Sequence, residues 1–267
     1  MYEHPVYGAV IPEKSWVPAP RYLLRRDRIL RWLATQPKGS VLEVGPGSGA
    51  LLKDFSNLGW DCVGLDVSAA ALDLTRYVTE ECENVELYAS AEKLGDRKFN
   101  LVVACEVLEH IEQDQEMFDE WAAFLKPGGH LLISVPAHMK RWDATDVWAG
   151  HFRRYEYEDL VHLTRKSDMR VNQIECYGFP LALFTSTFRS NYLSKKDRAE
   201  KNNPGGKQEK TEQSGVNRGF EMRYFGIQKS WLGVCALRFG MWLQHLFVSR
   251  PYGNGYLLWA RKDENCD

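Results

Sequence analysis

Apolar and polar positions fall into two periods along this chain. Short continuous apolar runs predict strands at 40–45, 61–66, 85–88, 99–105 and 129–135. Amphipathic spacing between them predicts helices near 49–58, 68–80, 113–125 and 156–166. A basic helix from about Tyr22 to Thr35, with Leu23, Ile29, Leu30 and Leu33 on its apolar face, precedes the first strand. Runs such as Leu101-Val102-Val103-Ala104 and Leu131-Leu132-Ile133-Ser134-Val135 lack polar alternation, as strands do when both faces of a sheet are covered. Strands that take turns with crossover helices make a doubly wound, mostly parallel α/β sheet.

The flanks break this rhythm. Pro5, Pro12, Pro18 and Pro20, interleaved with Tyr2, Tyr7 and Trp16, predict an extended arm over residues 1–20. A strand is expected near 170–178, after which residues 194–219 contain no aromatic residue and almost nothing apolar. Such a segment cannot offset its ordering entropy by burial, so a mobile loop is expected there. Residues 228–248 are strongly apolar, and Gly255-Tyr256-Leu257-Leu258-Trp259-Ala260-Arg261 predicts a closing strand. The organisation expected is an N-terminal arm and cap helix (1–36), an α/β core (37–180), an insertion of polar loop and apolar helix (181–252), and a closing strand with its tail (253–267).

Composition narrows the class without deciding it. With 44% apolar and 26% charged residues the chain has an ordinary globular make-up, and its net charge of −2 gives no general attraction to nucleic acid. Cys62, Cys82, Cys105, Cys176, Cys235 and Cys266 form no C-x-x-C pair, so neither a zinc knuckle nor a disulfide framework is expected. Cys62 and Cys105 read as buried thiols. Met1-Tyr2-Glu3-His4-Pro5 lacks the basic-then-apolar pattern of a signal peptide, which makes a cytoplasmic location the expectation.

Candidate chemistry begins where the first core strand ends. Val41-Leu42-Glu43-Val44-Gly45-Pro46-Gly47-Ser48-Gly49-Ala50 is an apolar strand entering a glycine-rich turn, with an acid two residues before the first glycine. The turn opens a helix whose first N–H groups point at any bound ligand, so the segment predicts a nucleotide-cofactor cradle. Its spacing satisfies both G-x-G-x-G and G-x-G-x-x-A, which leaves a nicotinamide dinucleotide site open. Asp66 ends the second strand, where a carboxylate can accept both hydrogen bonds of a ribose diol. Capping of the following helix, together with Ser68, is the simpler alternative.

Three further segments complete a set: Ser90-Ala91-Glu92 after the third strand, Cys105-Glu106-Val107-Leu108-Glu109-His110 at the exit of the fourth, and Leu125-Lys126-Pro127-Gly128-Gly129 before the fifth. Together with E-x-G-x-G-x-G they resemble the class I S-adenosylmethionine (SAM) dependent methyltransferases, in the branch that includes the ubiquinone-pathway O-methyltransferases. The resemblance covers about 36–180. It implies a Rossmann-like, seven-stranded sheet with a reversed final hairpin, to which the residue pattern of this chain adds a helical insertion before the last strand. It also implies SAM as cofactor, with Glu43 and the glycines facing the methionine portion, Asp66 the ribose, and Ala91 and Glu92 the adenine. The cofactor set expected is Arg25, Glu43, Gly45, Pro46, Gly47, Gly49, Asp66, Val67, Ala91, Glu92, Cys105 and Glu106. Arg25 is chosen from Arg21, Arg25, Arg26 and Arg28 as partner of the cofactor carboxylate, against the alternative of a solvated helix face. Ser90 departs from the many relatives that carry aspartate there, which bears on the adenine contact alone.

Glu106-x-x-Glu109-His110 lies at the carboxyl edge, where open α/β sheets bind ligands. Glu106, Glu109 and His110 form a candidate site for Mg²⁺ or another divalent ion, with His151 or His138 as a fourth ligand. Similar E-x-x-E-H segments serve as metal ligands in ubiquinone O-methyltransferases and in small-RNA 2′-O-methyltransferases; in many relatives the acid caps the cofactor pocket instead. The segment Trp142 to Tyr155 carries G-H-x-R-R-Y, which resembles a subgroup of bacterial-type methyltransferases linked to glycan, lipid or secondary-metabolite pathways. His151 is the expected general base, with Asp146 and Tyr155 as catalytic candidates beside it. Arg153 and Arg154 either grip an anionic substrate group or pin the loop.

The function expected is transfer of a methyl group from SAM to a small or amphipathic acceptor, at a hydroxyl. N-methylation of a small metabolite, 2′-O-methylation of an RNA terminus, NAD-dependent oxidation and a catalytically silent SAM-fold binding partner are the competing classes. The partner expected is a small-molecule, lipid or glycoconjugate acceptor rather than nucleic acid. The apolar stretch 231–248 leaves three readings: a substrate lid, a homodimer interface, or a helix in peripheral contact with a membrane.

Overall fold

The computed structural model describes residues 1–199 and 218–264. Its strands are β1 (Tyr2–His4), β2 (Gly8–Val10), β3 (Ser40–Val44), β4 (Asp61–Leu65), β5 (Val85–Tyr88), β6 (Phe99–Cys105), β7 (Leu125–Pro136), β8 (Met169–Tyr177) and β9 (Gly255–Lys262). The α-helices among the described residues are α1 (Pro20–Leu33), α2 (Ala50–Asn57), α3 (Ala69–Val78), α4 (Asp114–Ala123), α5 (Ala144–Ala149), α6 (Tyr157–Lys166), α7 (Leu181–Ala199), α8 (Gly219–Gln228) and α9 (Trp231–Gln244).

Strands β3 to β9 form one seven-stranded sheet in the order β5-β4-β3-β6-β7-β9-β8. Only β9 runs antiparallel to its neighbours, which gives the doubly wound sheet with a reversed final hairpin. Successive side chains of a strand point to opposite faces, so a sheet covered on both sides must be apolar at nearly every position. On one face Val41, Leu101, Val103, Leu132 and Trp259 pack with Leu24, Ile29 and Leu33 of α1 and with Leu51, Leu52 and Phe55 of α2. On the other, Leu42, Val102, Ala104, Leu131 and Leu258 meet Phe118 and Trp121 of α4 and Leu160 and Leu163 of α6. The chain leaves β3 for β4 and β5, then crosses back to β6 on the other side. This reversal opens a crevice at the carboxyl ends of β3 and β6, where ligands bind in such sheets.

The flanks depart from expectation. Residues 1–20 are not an extended arm: β1 and β2 pair as an antiparallel hairpin. Val6, Tyr7, Val10 and Val17 are buried with Phe225 of α8 and Leu237 of α9, while Ile11 and Trp16 pack with Ala50, Leu74 and Val78. Pro5 sits in the hairpin turn, Pro12 opens a 3-10 helix and Pro20 opens α1, and the apolar residues between them are numerous enough to bury the segment.

The arginines of α1 do not make a solvated face either. Arg26 donates to Asp54 at 2.5 and 2.6 Å, and Arg28 to Glu175 at 2.6 and 2.5 Å. Arg21 and Arg25 both reach Glu106. Within the expected loop of 194–219, residues 194–199 continue α7, and 200–217 lie outside the described residues. Among the described residues no helix is long and apolar enough to cross a membrane.

Candidate cofactor and acceptor site

A cavity of about 190 Å³ occupies the crevice at the ends of β3 and β6. Its floor is Glu43 and the turn Gly45-Pro46-Gly47-Ser48, its wall toward β6 is Cys105 and Glu106, and α1 contributes Arg21 and Arg25. The helical insertion and α5 close the far side with Thr145, Trp148, His151, Arg189 and Arg218.

The glycine turn is shaped by steric necessity. Gly45 has φ +67°, and a Cβ there would lie 2.7 Å from Val107 Cγ2. Gly49 has φ +74°, and a Cβ would meet the Thr75 backbone at 2.8 Å. A side chain at either position would have to displace its neighbour and adopt a left-handed backbone. Beyond the turn, Asp66 accepts from the N–H of Gly47 at 3.3 Å through Oδ2 and from that of Ser68 at 2.9 Å through Oδ1. Its carboxylate therefore borders the cradle and holds the backbone of Ser68, the residue that caps α3 by accepting from Ala71 N–H. Asp66, Val67, Ala91 and Glu92 are not among the cavity's lining residues. Val67 is 83% exposed, and Ala91 and Glu92 sit in a short 3-10 turn after β5.

Glu43 is buried, and its Oε2 has no hydrogen-bond partner among the described residues. Burial, only partly offset by Arg25, pushes its carboxyl up to about 8. Burial likewise raises the Cys105 thiol to about 12, which leaves it inert as a nucleophile at neutral pH.

Glu106 behaves differently. It follows β6 with a left-handed backbone, φ +59°, rare for a residue with a side chain. Arg21 Nη2 lies 2.7 Å from Oε2 and Arg25 Nη1 3.2 Å from Oε1, while Ser134 Oγ and Tyr177 OH donate to Oε1 at 2.9 and 3.1 Å. Burial alone would raise its pKa, but Arg21, Arg25 and Ser134 together hold it at about 2. Glu106 is thus a saturated carboxylate on the cavity wall. It is removed from the expected metal set, because two guanidiniums already neutralise it.

The residues that do converge are Glu109, His110 and His151, with one ligand atom of each within 4.8 Å of the others. Neither oxygen of Glu109 has a hydrogen-bond partner among the described residues, and the side chain is fully buried. Burial and then the Glu106 charge raise its carboxyl well above the ordinary range. Burial, reinforced by His151, lowers His110 to about 4, so its imidazole is neutral. His138, the other suggested ligand, is elsewhere: its Nδ1 lies 2.9 Å from Glu156 and its Nε2 3.8 Å from Cys176.

His151 is the centre of the second expected group. Its Nδ1 lies 2.8 Å from Asp146 Oδ1, and its Nε2 is 3.9 Å from Glu109 Oε1. Asp146 is oriented by Arg154, whose Nε and Nη2 donate to Oδ2 at 3.0 and 2.6 Å, and by the capping box at the start of α5. Burial would raise Asp146, but His151 and Arg154 hold it at about 2. Tyr155 does not join them. It is buried in the core, where its hydroxyl donates to Asp114 Oδ2 at 3.0 Å and lies 3.4 Å from the Leu108 carbonyl. Arg153 likewise donates to Asp114 at 2.6 Å and to the Glu112 carbonyl at 2.7 Å, so both arginines pin the loop.

Arg189 and Arg218 carry no motif, and sequence spacing did not identify them. Nor does α9 form the lid: no residue of 231–248 lines the cavity. Leu237, Gly240 and Gln244 are buried, whereas Trp231, Phe239, Trp242 and Leu246 are 76, 59, 58 and 62% exposed. The cover over the cavity is α5 with Arg189 of α7 and Arg218.

A doubly wound sheet with a glycine cradle at its switch point and an orphaned acid on the cradle floor defines a nucleotide-cofactor-binding α/β protein. A family model described as a methyltransferase domain matches residues 19–174, and the chain belongs to the class I SAM-dependent methyltransferases. It is 32% identical over 117 residues to a ubiquinone biosynthesis O-methyltransferase of Alkalilimnicola ehrlichii, a match over 42% of this chain and 47% of that protein. The chain spans about half the length of the curated relatives it matches. In fold it is similar to a putative sarcosine dimethylglycine methyltransferase from Galdieria sulphuraria, with TM-score 0.57, 14% identity and coverage of 97% and 94% of the two chains. It is also similar to the N-methyltransferase NodS of Bradyrhizobium japonicum in complex with S-adenosylhomocysteine (SAH), with TM-score 0.51, 22% identity and coverage of 61% and 83%. The cofactor is SAM, and this chain fits it: the buried Glu43 oxygen lacks a partner that an ammonium would supply, and the cradle has no room for a Cβ at Gly45 or Gly49.

Proposed function

We propose that the protein methylates a hydroxyl of a small or amphipathic acceptor, with His151 as general base. The observation that carries this reading is the His151–Asp146 pair at 2.8 Å on the cavity wall. An ionised Asp146 holds the imidazole proton on Nδ1 and leaves Nε2 free to accept a proton. Bound SAM supplies a methyl group on a cationic sulfur, which is electrophilic without further activation. The chain's residues then have three tasks. Glu43, the glycine turn and Arg25 hold the methionine portion, and Asp66 holds the ribose. Trp148 and the α5 cover exclude water, and alignment of the reactants can contribute about 7–11 kcal/mol of the barrier. His151 Nε2 would take the hydroxyl proton as the oxygen–methyl bond forms and the sulfur–methyl bond breaks, with SAH as the leaving group. Methyl transfer from labelled SAM to catechol-type acceptors, with product analysis, tests the reading. His151→Ala is expected to lower kcat at least about a hundredfold with SAH affinity unchanged. Near-normal kcat returns His151 to a structural role.

A second reading is favoured by Glu109, whose two buried oxygens lack partners beside two imidazoles. One carboxylate and two nitrogens suit a borderline ion such as Zn²⁺ better than Mg²⁺, which prefers an all-oxygen shell. Glu109, His110 and His151 would hold it, and the ion would lower the pKa of the acceptor hydroxyl. Full turnover after EDTA treatment rejects this reading. Loss of turnover restored by Zn²⁺ supports it over the free-base mechanism.

We assign the exposed stripe Trp231, Phe239, Trp242 and Leu246 to peripheral contact with a lipid surface, which suits an amphipathic acceptor.

A further inference from the structure

The cavity is richer in cations than its cofactor requires. Four guanidiniums line it, those of Arg21, Arg25, Arg189 and Arg218. Glu106 engages the first two, on the β6 side. Arg189 and Arg218 approach from the opposite side, where Glu221 Oε1 lies 3.6 Å from Arg189 Nε, an ion pair too long for a hydrogen bond. The Nε atoms of both arginines are buried without a hydrogen-bond partner among the described residues. Trp148 orients Arg189 by stacking, with the guanidinium carbon 5.0 Å from the ring centre. Burial presses Arg218 toward its neutral form; the Glu221 charge opposes this, while the neighbouring Arg189 and Arg25 add to the pressure. SAM brings an ammonium, a carboxylate and a sulfonium, a net single positive charge that an ionised Glu43 offsets, so cofactor binding leaves the excess of guanidiniums in place. Two guanidiniums, each with a buried Nε that lacks a partner among the described residues, are suited to recognition of an oxyanion.

We propose that Arg189 and Arg218 form a subsite for an oxyanion, carboxylate or phosphate, borne by the methyl acceptor. The subsite determines specificity: it grips the anionic end of the acceptor, while His151 of the same cavity faces the hydroxyl to be methylated. This rests on the methyltransferase reading and adds the charge class of the substrate.

The test uses the full chain saturated with SAH and calorimetric titration of four probes: benzoate, phenyl phosphate, benzamide and phenol. Both anions are expected to bind, with the neutral counterparts about tenfold weaker or worse, and the stronger anion identifies the oxyanion. Arg189→Gln and Arg218→Gln are each expected to weaken the preferred anion about tenfold while SAH affinity stays within about twofold, which also reports an intact fold. Arg189→Lys should fall between, because it keeps the charge and loses the fork. Equal binding of anions and neutral probes, no binding of any probe, or unchanged anion affinity in both glutamine variants overturns the proposal. A parallel fall in SAH affinity also overturns it, by giving the arginines to the cofactor. Failure of the unaltered protein to bind SAH would remove the methyltransferase reading as well.

Discussion

Replacing Glu43 by glutamine removes one ionisable group from the cavity floor and isolates its cost. The side chain is 3% exposed, and burial, opposed by Arg25, moves its carboxyl from 4.5 up to about 8. A carboxyl whose pKa rises on folding keeps its proton in the native state after the unfolded chain has released it. Native stability therefore falls as pH rises between about 4.5 and 8, and is flat in this respect outside that window. At about 1.4 kcal/mol per pH unit the loss is about 3 kcal/mol from pH 5.5 to pH 7.5 and at most about 5 kcal/mol above pH 8. Glutamine has no proton to lose. In urea unfolding of the cofactor-free protein, the stability difference is thus expected to move in favour of Glu43→Gln by about 3 kcal/mol over those two pH units.

The same substitution should harm binding. The ammonium of SAH draws Glu43 into its ionised form, so binding near pH 7 releases a proton from the unaltered protein. Its calorimetric enthalpy then varies with the ionisation heat of the buffer, and that of Glu43→Gln does not. Parallel pH–stability curves for the two proteins, or an enthalpy independent of buffer in both, would refute the reasoning.

Three further outcomes follow from named contacts. Asp66→Ala removes the carboxylate that accepts from Gly47 and Ser68, and should weaken SAH about tenfold to a hundredfold with an unchanged circular dichroism spectrum; an unaltered Kd rejects the ribose role. Glu175→Gln leaves the Arg28 guanidinium, now paired at 2.5 and 2.6 Å, without its counter-charge, and should cost about 3–5 kcal/mol in denaturant unfolding. A change below about 1 kcal/mol would mean that the pair contributes little beyond a surface ion pair. Vesicles of anionic phospholipid should float the protein, and Trp231→Asp with Trp242→Asp should abolish flotation without changing SAH affinity; flotation that survives, or a dimer that only the variant loses, rejects the lipid assignment.

What could be read in the chain before its structure follows a physical dividing line. The sheet was legible because burial on both faces forces unbroken apolar runs, and the cradle because positive φ forces glycine at 45 and 49. Both are local constraints, written within a few residues of one another. Pairing across the fold leaves no such trace. Nothing around Arg26 or Arg28 announces Asp54, 28 positions away, or Glu175, 147 positions away, and a solvated arginine face has the same letters. Adjacency also misled at Glu106: its left-handed backbone turns the carboxylate to Arg21 and Arg25, so the group beside Glu109 and His110 is completed by His151 instead. Prolines misled in the first 20 residues, since they mark turns of a buried hairpin as readily as an exposed arm. Cofactor recognition therefore sits in contiguous motifs, because one strand, one turn and one helix end can build it. Acceptor recognition is assembled from α5, α7 and the start of α8, segments with no mutual spacing rule. For that reason Arg189 and Arg218 emerge only when the chain is folded, and the charge they concentrate on one cavity wall is the most direct physical constraint on what the enzyme methylates.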